Sequence, residues 1–427
     1  MIAVQAGDNP TRPADRARYR LFAVLAGLYI AQGIPTYLFA AAIPPILREQ
    51  DVSRTAIGFF SILLLPLVLK FLWAPMVDCV RPFARAHRAG WVIVTQCGII
   101  ASILALVVAG PANVWAIFAI GFVASLLLST QDIATDGYAA KYLASEDRPI
   151  GNAIQGGAVA FGVIVGGTLG LVLYHHAGWT VMLVTIALLS LIPLAAAFAM
   201  READPAPATP GAPISRPSIM AFLRRPEARQ ILWIALIYRA SEGLVKAMEG
   251  SYLVDAGIPL DTIGYLSGAS AATAGLAGSV IAALLLRRWG AGPVLGLLGS
   301  LRTICFLIFA LHAFGAVTGV WPLYGASAFQ TLIRYMEIVA LYSLFMSVTS
   351  SEQPGTDFTI LACGQLIVYL MGSMSSGALA DLFGYGALFG FSAALSGIAV
   401  LATILMLRAY APRVRDPLIA AGTGGRR

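Results

Sequence analysis

Four charged residues, Arg239, Glu242, Lys246 and Glu249, follow one another at spacings of three, four and three inside an apolar stretch at roughly 230–253. Those intervals put all four on one stripe of a helix. Such a stripe can neutralise itself by intrahelical pairing, or it can line a path for a charged ligand or a proton. Facing lipid it would be too costly, so it is expected to face a cavity, with Arg239 and Lys246 binding substrate and Glu242 and Glu249 carrying protons. A second set, Gln131, Asp132 and Asp136, places two carboxylates one turn apart. Carboxylates this close retain a proton more readily than one alone, which is the property a proton carrier needs. Lys70, at a comparable depth, serves either a gate or a structural pair with Asp132. A third set, Gln330, Arg334 and Glu337, also has helical spacing. The Arg334 guanidinium offers a fork to carboxylate or phenolate oxygens of a ligand, and Glu337 joins the proton carriers. The alternative is a gate pair of Arg334 with Glu337 or with Asp132. Arg302 is read as structural.

Uncharged polar residues at similar depth extend the list. Gln32 and Gln365 are candidate substrate contacts, as are Tyr37 and Tyr238 if the cavity accepts an aromatic group. Interhelical hydrogen bonding and interfacial anchoring are the competing uses of such side chains. The sequence holds no GxxxxGK[ST] loop, no GxSxG and no HExxH, and its four histidines do not cluster. Cys79, Cys97, Cys305 and Cys363 are scattered. These features point away from ATP-driven transport, from an enzyme and from any metal or other cofactor.

The elements that hold these residues follow from composition. Of 427 residues 59% are hydrophobic and 11% charged, and the mean hydropathy is +0.81. That excludes a soluble enzyme. A spanning helix takes about 20 apolar residues, and apolar stretches recur at roughly 21–46, 55–77, 90–110, 113–140, 150–174, 179–199, 230–253, 262–286, 292–312, 317–348, 358–380 and 385–407. The first is too long for a signal-peptide core and is expected to stay as a membrane helix. Twelve spans put both termini on one side. Of the 28 Lys and Arg residues, 21 lie in the tails and even-numbered loops, 2 in odd-numbered loops and 5 within spans. By the positive-inside rule both termini are cytoplasmic, and the net charge of +7 reports topology rather than a nucleic-acid partner. Ten charges remain at membrane depth, each costing at least about 2.5–3.5 kcal/mol to insert. Lys70, Arg239, Lys246, Arg302 and Arg334 balance Asp132, Asp136, Glu242, Glu249 and Glu337.

The stretch 201–229 is rich in Pro and Ala and reads as a cytoplasmic linker. It separates two expected six-helix bundles, 21–200 and 230–407, flanked by an N-tail of 1–20 and a C-tail of 408–427. An offset of 206 residues aligns Ile57-Gly58 with Ile263-Gly264, Ser61 with Ser267, Ser145-Glu146 with Ser351-Glu352, and Gly178 with Gly384. Matches at one offset argue for a parallel duplication of a six-span unit. Gly162, Gly166 and Gly170, and Gly264 and Gly268, form close-approach patterns in spans five and eight, which speak of packing rather than chemistry.

Thr55-Ala56-Ile57-Gly58-Phe59-Phe60-Ser61, continuing at Lys70-Phe71-Leu72-Trp73-Ala74-Pro75-Met76-Val77-Asp78, resembles the AmpG-like branch of the major facilitator superfamily. So does Ser129-Thr130-Gln131-Asp132-Ile133-Ala134-Thr135-Asp136-Gly137-Tyr138-Ala139. The resemblance implies an all-α membrane protein with 12 transmembrane helices in two pseudo-symmetric six-helix bundles, in which spans five and eight meet across the halves and their glycine faces let the halves rock. It also implies a monomeric secondary transporter of the bacterial inner membrane that uses protons and a small-molecule substrate. The branch includes muropeptide permeases, acetyl-CoA transporters and a compact RhtX/FptX-type group that imports siderophores. Because the last span ends near Leu407, the compact group is favoured: proton-coupled, alternating-access import of a siderophore as its ferric complex, with an anhydro-muropeptide permease as the alternative. The loop 2–3 signature is degenerate, so its gating role carries over to Asp78 and, beside it, Arg81 and Arg85.

Overall fold

The computed structural model describes residues 13–50, 52, 59–84, 86–202, 217–259, 262 and 269–410. Arg85, Gly264, Gly268, most of the linker and both tails lie outside the described residues. Among the described residues twelve helical rods follow in order. α1 runs Pro13–Tyr37, widens into a π turn at Leu38–Ala42 and ends in Ile43–Glu49. α2 is assembled from Phe59–Leu64, Leu65–Leu69, Lys70–Leu72 and Ala74–Cys79. α3 is Arg88–Ala109 and α4 is Val114–Tyr142. α5 and α6 are the limbs 148–177 and 179–199 of one helical path. α7 has two pieces, Pro226–Arg239 and Glu242–Asp255. α8 is Ala269–Trp289, α9 is Ala291–Ala313 and α10 is Trp321–Val348. α11 and α12 are the limbs 354–383 and 385–410 of a second continuous path.

Seven of the described helices are individually long and apolar enough to cross a membrane. Two of these, Ser145–Ala199 and Pro354–Ala409, change direction at a glycine and supply two rods each. Gly178 (φ 81°, ψ 177°) and Gly384 (φ 79°, ψ 163°) make those turns in a conformation that a side chain would strain, and they are 206 residues apart. The same backbone feature at the repeat offset is the duplication expressed in structure. α2, α7 and α8 fall outside the seven, and α2 and α7 are each cut into pieces shorter than a span.

Both halves also begin alike. Arg18 at the start of α1 pairs with Asp147, just before α5, at 2.5 Å. Arg225 at the start of α7 pairs with Asp357, in the first turn of α11, at 2.5 Å. Part of the expected linker is structured. Ser218 caps a short helix, Ile219–Arg224, whose Phe222 is buried, and α7 then starts at Pro226, where a missing N–H costs nothing.

Between helices in lipid, close packing replaces the hydrophobic effect as the cohesive force. This corrects the reading of the span-five glycines. A Cβ at Gly162 would lie 2.5 Å from the Gly33 carbonyl carbon, and one at Gly166 would lie 2.1 Å from the Ile34 oxygen. The stripe therefore packs α5 onto α1 within one half. The residues of α5 that face α8 are earlier ones, since a Cβ at Gly156 would lie 2.1 Å from Ser279 Oγ.

Candidate functional site

A cavity of about 330 Å³ lies between the two halves. On the N-terminal side its wall includes Tyr29, Gln32 and Tyr37 of α1, Lys70 of α2, Asp132 and Asp136 of α4, and Gln155 of α5. On the other side stand Arg239 of α7, Arg334 and Tyr342 of α10, and Cys363 and Gln365 of α11. Three sequence sets separated by up to two hundred residues thus meet around one space.

In the N-terminal wall, Lys70 sits in the one-turn 3-10 segment of α2, is buried, and forms an ion pair with Asp132. The pair that could have been merely structural also lines the cavity. Asp136, one turn further along α4, accepts a hydrogen bond from the Tyr29 hydroxyl at 3.1 Å and lies 3.4 Å from the Gln155 amide nitrogen. Asp136 is buried in the cavity wall, so one carboxylate is held by a cation and its neighbour by neutral donors.

The opposite wall is organised by the break in α7. A helix end leaves carbonyls without intrahelical partners. Here the Arg302 guanidinium of α9 donates to the Tyr238 carbonyl at 3.0 Å and to Glu337 Oε2 at 2.9 Å. The Tyr238 hydroxyl lies 2.8 Å from Glu337 Oε1, and all three side chains are buried. A cation at a helix C-terminus also suits the helix dipole, as Glu242 suits the start of the next piece. Glu242 forms ion pairs with Arg239 and with Arg334, whose Nε lies 3.0 Å away. The two guanidinium groups lie 5.7 Å and 5.2 Å from the Tyr369 ring centroid.

Several expected site residues stand elsewhere. The α7 stripe is two i,i+3 pairs on either side of the break, Arg239 with Glu242 and Lys246 with Glu249. Lys246 and Glu249 are outside the described cavity wall, because Glu249 turns to its own lysine and to Ser327 of α10. Tyr238 and Glu337 are likewise not in that wall. Both are sealed against Arg302, which makes them scaffold rather than substrate contact or proton carrier. Arg334 pairs with Glu242 instead of Glu337 or Asp132.

The two halves are fastened at the end that carries the start of α1 and the finish of α12. Asp78 is buried there and accepts from Arg88 at 2.6 Å and from the Thr356 backbone N–H at 2.6 Å. The carboxylate of α2 therefore sits at the positive end of α11 in the other half. Gly137 and Gly355 bring α4 and α11 together beside it, with a hypothetical Cβ on Gly137 only 2.9 Å from Gly355. Arg81 is exposed, and Arg88 is the arginine that holds Asp78.

Arg88 and Glu202 were missed from the sequence. The Glu202 carboxylate accepts from the backbone N–H groups of His87, Arg88 and Ala89 at 2.7, 2.6 and 2.9 Å, and so caps α3. An arginine in the first turn of a helix, where the dipole is already positive, was the available signal that carboxylates must lie close by.

A cavity walled by both halves of a duplicated helical bundle, with charged, amide and hydroxyl groups in its lining, suits a membrane transporter. The chain belongs to the Major Facilitator Superfamily, whose family model matches residues 25–248. It is 26% identical over 418 residues to the anhydromuropeptide permease of Escherichia coli (strain K12), covering 93% of this chain and 82% of that one. The fold is shared with a bacterial homologue of the iron transporter ferroportin in an outward-facing state (TM-score 0.68, 18% identity, 92% of this chain and 99% of that one). It is shared equally with the proton:xylose symporter XylE (TM-score 0.67, 12% identity, 95% and 99%).

Proposed function

We propose that this protein is a proton-coupled permease for soluble cell-wall fragments of the anhydro-muropeptide class, working by alternating access in a bacterial inner membrane. The observation that carries this reading is the relationship to an anhydromuropeptide permease over 93% of the chain. The cavity agrees in kind, since it offers amide, hydroxyl and charged groups of both signs, as a sugar–peptide requires. Import of a siderophore, the reading first expected from the sequence, is not supported by the relatives.

In this reading Asp136 and Asp132 carry the proton and Lys70 is the counter-charge that responds to it. Gln32, Tyr37, Gln365, Arg239 and Arg334 contact cargo. With both termini cytoplasmic, the Asp78 to Thr356 fastening is the cytoplasmic gate, and the conformation receives cargo from outside. One chain supplies every wall of the cavity, so a monomer suffices.

The test is uptake of radiolabelled GlcNAc-anhydro-MurNAc-tripeptide by proteoliposomes carrying the full-length chain, with and without an inward proton gradient. Gradient-dependent accumulation is expected. No uptake under either condition overturns the cargo assignment.

A further inference from the structure

The charges around the α7 break do not close one to one. Arg302 is matched by Glu337, and Lys246 by Glu249. Arg239 and Arg334 share the single carboxylate of Glu242. The C-terminal wall of the cavity therefore carries one uncompensated positive charge, and both cations that produce it line the space where cargo must sit. Arg239 is buried, yet its Nε has no hydrogen-bond partner. Arg334 keeps 32% of its side chain exposed.

A second observation concerns the amides. Gln365 is buried in the wall with an unpartnered Oε1, and Gln32 and Gln155 leave Nε2 and Oε1 unpartnered. Buried amide atoms are ordinarily satisfied, so this set of donors and acceptors awaits a ligand bearing amides of its own. Guanidinium groups take carboxylates through paired, charge-assisted hydrogen bonds. The flanking Tyr369 ring, 5.2 Å and 5.7 Å from the two guanidinium carbons, holds both planes in place.

We propose that Arg239 and Arg334 form a subsite for one carboxylate of a peptide-like ligand, with Glu242 standing as the built-in partial occupant that sets the demand at a single further negative charge. The glutamines bind the amide groups leading to that carboxylate. This rests on the cell-wall-fragment reading for which molecule presents the carboxylate, and it assigns the carboxylate end of the peptide stem, rather than the sugars, to the C-terminal half.

Two probes separate the proposal from that reading. Purified full-length protein is melted in detergent with N-acetyl-glycyl-glycine or with its C-terminal amide, both at millimolar concentration. Binding of labelled GlcNAc-anhydro-MurNAc-tripeptide is measured in parallel. The free acid is expected to raise the melting temperature and the amide to leave it unchanged. Arg334→Gln removes that discrimination, Arg334→Lys retains part of it, and Glu242→Gln strengthens acid binding several-fold by leaving both arginines uncompensated. If Glu242→Gln does not fold, the Arg334 pair of variants alone decides. Equal response to acid and amide, or discrimination that survives in Arg334→Gln, overturns the subsite. Discrimination without any binding of the labelled muropeptide leaves the subsite standing and overturns the cargo reading instead.

Discussion

The Arg302 guanidinium donates to the Tyr238 carbonyl at 3.0 Å, at the point where α7 stops being a continuous helix. That one contact explains how a transmembrane rod can be interrupted in the middle of the bundle. The carbonyl freed by the interruption is satisfied by a side chain from α9, and the charge this introduces is returned by Glu337. The break in turn sets Arg239 on the cavity side and Tyr238 on the scaffold side, one residue apart.

Arg302→Met should cost about 3–5 kcal/mol of stability, since it leaves Glu337 charged and unpaired in the interior. Arg302→Met combined with Glu337→Gln should recover much of that loss. Denaturation of the purified single and double variants measures the coupling, and simple additivity would show that Arg302 and Glu337 do not act as a pair.

Asp136→Asn should abolish gradient-driven accumulation while leaving exchange of cargo across a membrane without a gradient. The side chain keeps its size and its contact with Tyr29, so folding is preserved. Counterflow and proton-driven uptake in the same proteoliposomes distinguish a coupling defect from a binding defect. Loss of both activities would assign Asp136 to cargo.

Asp78→Asn weakens the fastening between α2 and α11. Losing a buried, charge-assisted bond is worth about 1–3 kcal/mol, or roughly 5–150-fold in the ratio of open to closed states. Cys363 lines the cavity and reports the change. In a variant lacking Cys79, Cys97 and Cys305, its alkylation by a reagent added at the terminal face should accelerate when Asp78 is replaced, and an unchanged rate would show that the gate lies elsewhere.

His87 provides a pH dependence outside the membrane spans. Burial holds its imidazole below the ordinary value, although the Val77 carbonyl, 2.9 Å from Nε2, works in the other direction. With a lowered folded-state pKa, its contribution is complete above the unfolded value of about 6.5 and is lost as pH falls through the folded value. The melting temperature should therefore drop on acidification by more in the wild type than in His87→Gln. Parallel pH profiles would exclude His87 as the group responsible.

The class of protein, the repeat offset and the charged residues that the cavity gathers were legible in the sequence. Each depends on local composition or on a fixed offset, as with Gly178 and Gly384. Lys70, Asp132, Asp136, Arg239 and Arg334 stood out because a charge in an apolar stretch is expensive wherever that stretch lies. Their partners were not legible. Glu242 could have closed on Lys246 as readily as on Arg239, and nothing local says that Arg334 of α10 reaches it or that Glu337 turns to α9. Similarly, Arg81 and Arg88 are equivalent as letters. Only Arg88 is brought against Asp78, by the Glu202 cap that fixes the start of α3. Helical spacing gives the face a side chain occupies on its own rod. Which charge meets which depends on the rotation and depth of rods that are remote in sequence, and those are set by backbone contacts such as Gly166 against Ile34 and Gly137 against Gly355.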